Sequence, residues 1–163
     1  MSAMNIRPAT SDDSEAIWQI LEPMIRAGET YTLPRDMSRD DALQYWAAPG
    51  HEVFVAEEDA EILGTYFLRE NYRAAGSHIA NCGYVTAVHA AKRGIGHAMC
   101  KHSIERARSR GFRAMQFNFV VASNDRAVRI WQDCGFETIG RIPAAFRHPH
   151  LGLIDALIMY RKL

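Results

Sequence analysis

The 163-residue chain has no excess of charge of either sign. Lys and Arg total 19, Asp and Glu total 19, and the formal net charge is zero. That balance removes the bulk electrostatic reason to expect nucleic acid or an anionic membrane surface as a partner. Long apolar runs are missing too. No stretch approaches the roughly 18 residues needed to span a bilayer, and the opening MSAMNIRPAT lacks the apolar core of a secretory signal. Cysteine is scarce: Cys82, Cys100 and Cys134 are odd in number and far apart, with no CxxC pair. This argues against a disulfide framework and for reduced thiols in a cytoplasmic protein. Familiar phosphate motifs are absent as well. There is no G-x-x-x-x-G-K-[ST], and a dinucleotide fingerprint starting at Gly94 fails because its third glycine position holds Met99.

The pattern that is present is one of alternating short strands and amphipathic helices. MNIRPAT reads as a first strand. SDDSEAIWQILEPMIRAG reads as a helix, with Asp12 or Asp13 as N-cap, Ile17, Ile20, Leu21, Met24 and Ile25 at helical spacing, and Gly28 as a stop. SRDDALQYWAA reads as a second helix capped by Ser38. HEVFVAEED and EILGTYFLREN read as two strands around a tight turn at Asp59-Ala60, followed by a third, SHIANCGYVTAV. A helix from Gly94, the strand FRAMQFNFVVAS, a short helix NDRAVRIWQDCG, and two strands, FETIGRIPAAF and LIDALIMYRKL, complete the chain. The order β-α-α-β-β-β-α-β-α-β-β predicts an α/β (α+β) fold: one mixed, mostly antiparallel sheet with helices on both faces. No repeat or linker interrupts it, so residues 1–163 are expected to form one domain.

Lys92-Arg93-Gly94-Ile95-Gly96-His97 places two glycines where a strand gives way to a helix. Glycines there either punctuate the turn or let an anion approach the unpaired N–H groups of the helix N-terminus. The surrounding residues favour the second use. The strand YVTAV, the turn AKRGIG and the later NDRAVRIWQDCGF, with Asn124, Ala127 and Gly135-Phe136, resemble the GNAT superfamily, the Gcn5-related N-acetyltransferases. So does the opening IRPAT, and the likeness extends over nearly the whole chain. MQFNFVVASNDRAVRIWQDCGF, AAFRHPHLG and DALIMYRKL resemble a small-molecule branch that includes enzymes acting on proline analogues. The phosphinothricin-type enzymes are a looser match.

The resemblance implies acetyl-CoA as co-substrate, its pantetheine along Val85, Thr86 and Ala87. The diphosphate is implied to lie on the N–H groups of Lys92, Arg93, Gly94, Ile95, Gly96 and His97. Asn124 is implied to contact the cofactor, and it is also an N-cap for the helix that follows. Asn81 and Asn118 are implied to bind the acceptor, with a sheet-bridging amide as the alternative for Asn118. Two positions depart from the family pattern. Its Arg/Gln falls on Ala91, with Lys92 and Arg93 beside it as other sources of charge. Its thiolate-protonating Tyr falls on Trp131, which reads as core packing because an indole N–H is no practical acid.

The base is the least defined part. No Asp or Glu lies between His78 and Val88, which leaves His78, whose imidazole can accept a proton near neutral pH. Glu29, Thr30 and Tyr31 are expected to face the acceptor groove, possible termini of a water chain. Arg147 is expected to reach an acceptor carboxylate from a loop. Arg147-His148-Pro149-His150 reads as solvated loop and no metal is expected; His102 reads as a satisfied core histidine.

The leading expectation is an acetyl-CoA-dependent N-acetyltransferase acting on a small amine, an amino acid or analogue. A non-catalytic acyl-CoA-binding module and a protein or peptide N-acetyltransferase are the competing readings. The apolar last strands predict a homodimer.

Overall fold

The computed structural model describes residues 3–163. The predicted element order is observed in full: β1 (Asn5–Pro8), α1 (Ser14–Ala27), α2 (Arg39–Trp46), β2 (Glu52–Glu58), β3 (Glu61–Glu70), β4 (Ile79–Thr86), α3 (Ile95–Ser109), β5 (Ala114–Val121), α4 (Asp125–Asp133), β6 (Glu137–His148) and β7 (Gly152–Lys162). The helix α1 forms where the apolar spacing lies, and Ile17, Ile20, Leu21 and Ile25 are buried on its inner face. Its start differs from expectation. A short 3-10 turn, Ser11–Asp13, precedes it, and Asp13 does not cap α1 through its side chain. The Asp13 carboxylate instead reaches back to the Thr10 N–H at 2.8 Å and takes two bonds from the Arg7 guanidinium. Ser38 caps α2 as expected, its hydroxyl accepting from the Asp41 N–H at 3.1 Å.

The strands form one sheet in the order β1-β2-β3-β4-β5-β7-β6, antiparallel except between β4 and β5. Period-two alternation sends successive side chains of β3 to opposite faces. The α2 residue Trp46 donates its indole N–H to Thr65 Oγ1 (3.0 Å) on one face, while the Tyr66 hydroxyl meets His102 Nδ1 of α3 (2.7 Å) on the other. Thr65 is fully buried, and its hydroxyl goes on to the Phe54 carbonyl at 2.8 Å, so no polar cost is left unmet. His102 is thus a satisfied histidine, as its sequence context suggests. The three cysteines are buried free thiols.

The C-terminal hairpin corrects one boundary. β6 continues through Arg147 and His148 rather than ending at Phe146, and His148 Nδ1 then accepts from the N–H groups of His150 and Leu151 at 3.1 and 3.2 Å. Three of the eight residues of LIDALIMY, Ala156, Leu157 and Met159, are buried in the protein's own core. The apolar surface left over belongs to Ile139, Ile142, Leu151 and Leu153.

Candidate active site

β4 and β5 are parallel neighbours, yet they pair at only two positions, Ile79 with Ala114 and Ala80 with Met115. Beyond that point they part, and a wedge opens between the strands. Antiparallel pairing gives each β4 residue alternate backbone directions. Ala87 donates to the Leu63 carbonyl at 2.8 Å, and Asn71, on the same side, donates to the Ile79 carbonyl at 2.8 Å. The odd-numbered residues of β4 therefore point their N–H and C=O groups at β3. Cys82, Tyr84 and Thr86 point theirs into the wedge. Of the three consecutive residues expected to line a pantetheine, only Thr86 offers its backbone there; Val85 and Ala87 are committed to β3. Sequence reading missed Tyr84 because strand parity depends on where the pairing with β3 begins.

On the α3 side the wedge is filled by aromatic rings. Trp131 of α4 lies between Tyr84 and Phe117, with ring centroids 4.7 and 5.0 Å away, and is 9% exposed. It occupies core, as expected. The Tyr84 hydroxyl bonds Ser103 Oγ at 2.7 Å, and burial holds its phenol well above the usual tyrosine range. Neither group is a ready proton donor to a departing thiolate. Trp131→Phe keeps most of the buried apolar area. It is expected to retain most turnover and to cost about 1–2 kcal/mol of stability; loss of turnover in a folded variant, read by steady-state kinetics beside a melting curve, would refute the packing role.

The opposite side carries an amide cluster. Asn71, directly after β3, accepts at Oδ1 from Asn81 Nδ2 (3.2 Å) and Asn118 Nδ2 (2.6 Å), and donates from Nδ2 to Asn118 Oδ1 (3.1 Å). Gln116 Nε2 also donates to Asn118 Oδ1, at 2.9 Å. Asn81 and Asn118 thus meet through Asn71 rather than directly. Asn71 carries no periodic signal in sequence; only the antiparallel turn-back of β4 brings it to this place. The register of β5 against β7 shifts between Phe117 and Val120. Asn118 and Phe119 lie in this bulge, a device that re-aims side chains.

Tyr31, from the loop after α1, lies over β4 and donates its hydroxyl to the Tyr84 carbonyl at 3.3 Å. Burial of that hydroxyl raises its pKa far above the usual value, so it stays protonated. Gly83 makes the approach possible: a Cβ there would stand 2.6 Å from Phe67 Cε1 and 2.9 Å from the Tyr31 hydroxyl. Glu29 of the same loop faces His150 of the β6–β7 turn at 3.9 Å. Thr30 is half-buried between them in sequence. The α1–α2 loop and the β6–β7 turn therefore approach each other. Two other expected residues do not join. His78 is exposed and precedes β4 at the closed end of the wedge, its carbonyl accepting from the Arg113 N–H at 2.8 Å. Arg147 is exposed and sits within β6 beside buried Phe146, so strand alternation turns it to the other face.

At the far end of β4 the chain enters α3. Gly94 is its N-cap, with φ of 81°, and Lys92 has φ of 66°. The first intrahelical bond runs from the Ala98 N–H to the Gly94 carbonyl at 3.0 Å, which leaves the N–H groups of Ile95, Gly96 and His97 without helical partners. A Cβ at Gly94 would meet nothing within 4 Å, whereas one at Gly96 would come 3.0 Å from Ile130 Cδ1 of α4. The two glycines thus do different things: Gly94 permits the left-handed turn beside open space, and Gly96 lets α4 close on α3. Arg93 is paired with Glu58, and His97 Nε2 with Asp133 Oδ2 at 3.0 Å. Their side chains are held by the protein, so the loop's capacity for an anion rests on backbone amides and the helix dipole, with the exposed Lys92 as a solvated charge beside them. Asn124 caps α4, its Oδ1 accepting from the Ala127 N–H at 3.3 Å.

A parted parallel pair ending in an anion-competent helix start coincides with a match in sequence. The model of the Acetyltransferase (GNAT) family matches residues 15–136. The chain belongs to the GNAT family. As a GNAT protein it is an N-acetyltransferase, and its seven-stranded sheet and four helices are the family's fold. A GCN5-related N-acetyltransferase from Kribbella flavida is 36% identical, with a TM-score of 0.94 over 99% of this chain and 98% of that one. The N-acetyltransferase aca1 of Schizosaccharomyces pombe is 28% identical over 151 residues, 82% of this chain and 72% of its own. A GNAT phosphinothricin acetyltransferase from Sinorhizobium meliloti, solved with acetyl-CoA, shares the fold at a TM-score of 0.88 and 20% identity, over 100% of this chain and 89% of that one. No helix among the described residues of this GNAT chain is long and apolar enough to cross a membrane.

Proposed function

We propose that the chain, as a single catalytic domain in the cytoplasm, transfers the acetyl group of acetyl-CoA to the amine of a small molecule, an amino acid or analogue. The observation that carries this reading is the wedge itself. One lip of β4 turns backbone groups away from β3, with the Tyr84 carbonyl shared with the Tyr31 hydroxyl, a helix N-terminus lies at its outer end, and an amide cluster sits near its apex. The Sinorhizobium meliloti neighbour's complex with acetyl-CoA supports the first part.

The pantetheine adds to the free edge of β4 along Cys82, Tyr84 and Thr86. The diphosphate takes the N–H groups from Lys92 to His97, with Asn124 at the near end of α4. A wedge-facing N–H of β4 polarises the thioester carbonyl, and holding both reactants in register supplies much of the rate, since proximity is worth up to ~7–11 kcal/mol. The acceptor enters between the α1–α2 loop and the β6–β7 turn. Its ammonium loses a proton to water in this groove, where Glu29 and His150 stand. The neutral amine attacks the carbonyl carbon, forming the C–N bond. The nitrogen of the tetrahedral adduct gives its surplus proton to water, collapse breaks the C–S bond, and the thiolate takes up a proton from solvent. No acid is required for this, because a thiol with pKa near ~8.5 is a tolerable leaving group.

The test is CoA release with a panel of amino acids, proline analogues and peptides. Amine-dependent release with the small acceptors is expected; release only with peptides, or none with any amine, would overturn the reading. A homodimer through the Ile139, Ile142, Leu151 and Leu153 surface belongs to the same proposal, and a monomer in sedimentation at micromolar concentration would remove it.

A further inference from the structure

The amide cluster has a direction. Asn118 Oδ1 already takes two N–H bonds, from Asn71 at 3.1 Å and from Gln116 at 2.9 Å. A carbonyl oxygen has two lone pairs, so this acceptor is filled. One hydrogen of Asn118 Nδ2 goes to Asn71 Oδ1 at 2.6 Å. The second hydrogen is the hydrogen-bonding capacity left to the Asn118 side chain, and the residue is half-buried, on a bulged strand at the wedge. Asn71 is the hub of this arrangement. It is 6% exposed, its oxygen receives both Asn81 and Asn118, and its backbone is pinned by the bond to Ile79.

We infer that Asn71 is a positioning residue that fixes Asn118 as an N–H donor, so that the acceptor substrate carries a carboxylate or carbonyl oxygen beside its amine. This rests on the proposed small-amine reading and narrows it. Asn71 makes a paired, two-bond contact with Asn118, so turning Asn118 over alone would set N–H against N–H and oxygen against oxygen. Only a concerted reversal of Asn71, Asn81, Asn118 and Gln116 restores the bonds. That reversal would present an oxygen to the groove and would suit an ammonium instead. The two polarities make opposite demands on the substrate.

The experiment compares an α-amino acid with the same amine lacking its carboxylate, using acetyl-CoA, in wild type, Asn71→Ala and Asn118→Asp. Asn71→Ala should raise KM for the amino acid about tenfold, the loss of one oriented hydrogen bond. Its kcat at saturation, the Kd for acetyl-CoA and the kinetics with the decarboxylated amine should each stay within about twofold. Asn118→Asp replaces the free N–H with an oxygen, and should harm the amino acid more than Asn71→Ala does. Equal losses with both acceptors would mean that Asn71 is merely structural and would overturn the inference. Improved turnover of the decarboxylated amine by Asn118→Asp at the amino acid's unchanged rate would establish the reversed polarity and also overturn it. If Asn71→Ala does not fold, the nearly isosteric Asn71→Leu, which also removes both bonds to Asn118, must give the same selective rise in KM, or the inference fails. A wild-type enzyme that releases CoA with no small amine would instead sink the proposed function, and this inference with it.

Discussion

Gly94→Val is expected to raise the Kd for acetyl-CoA by roughly 30- to 100-fold, a loss of about 2–3 kcal/mol. Gly94 has φ of 81°, a region β-branched residues rarely enter, and forcing one there costs on the order of 1–3 kcal/mol. The new side chain would meet no protein atom within 4 Å, at least at its Cβ. The penalty therefore comes from the backbone conformation and from methyl groups standing in the approach to the α3 N–H groups. Lys92→Ala should do far less. Lys92 is exposed, and one solvated charge is worth about 0.2–1 kcal/mol, under ~6-fold in Kd. Gly96→Val should weaken binding more than Lys92→Ala too, but with a lowered Tm, because its side chain drives into Ile130. Titration calorimetry of the three variants gives the order, and Lys92→Ala as the most damaging would refute recognition by backbone amides.

The largest expected loss of stability follows Asp13→Ala, about 2–4 kcal/mol, since breaking an ion pair with a buried member strands its partner and here also removes a turn cap. The Asp13 side chain is 8% exposed and the Arg7 guanidinium 30%. At ~2–4 °C per kcal/mol for a chain of this size, Tm should fall by about 5–15 °C. The Arg7 guanidinium holds the Asp13 carboxyl below its usual range, with help from the Thr10 N–H and against the opposing effect of burial. A carboxyl with a depressed folded pKa stabilises fully above its unfolded value, near ~3.9, and that contribution fades as pH falls through the lower folded value. Wild type should thus lose stability below about pH 4 more steeply than Asp13→Ala. Parallel acid-unfolding slopes would show that the pair does not set this dependence.

Much of the fold was legible because its signals are local. Helical spacing from Ile17 to Ile25, the Ser38 cap and the run of strands from Val53 to Val85 each need only neighbouring residues. The cap at Asn124 and the packing role of Trp131 were equally local readings, while the family resemblance supplied the anion role of the turn at Gly94. What sequence missed depends on pairing across the sheet. Tyr84 rather than Val85 opens its backbone to the wedge because β3 sets the parity of β4. Asn71 belongs to the site because a strand folds back, not because of any spacing to Asn81 or Asn118. His78 and Arg147 were placed by residue type alone, and each falls outside the groove: one on the closed end of a strand pair, the other on the far side of an extended β6. The pairing of Arg93 with Glu58 was equally invisible, since its partner lies on β2.

The two-residue seam between β4 and β5 also has a meaning for how the chain folds. It divides the sheet into two units, a β1–β4 unit built on the β2-β3-β4 meander and a β5-β7-β6 unit built on a hairpin. Meanders and hairpins close short loops and form early, whereas a parallel crossover spends chain entropy before it is rewarded. With so few backbone bonds along the crossover, simultaneous opening of the two units is enforced by α3 and α4 bridging them and by side-chain links such as Asn71 with Asn118. Native-state hydrogen exchange should then resolve two protection classes divided at Ile79–Ala80 and Ala114–Met115, and a single uniform class would show the seam to be mechanically irrelevant.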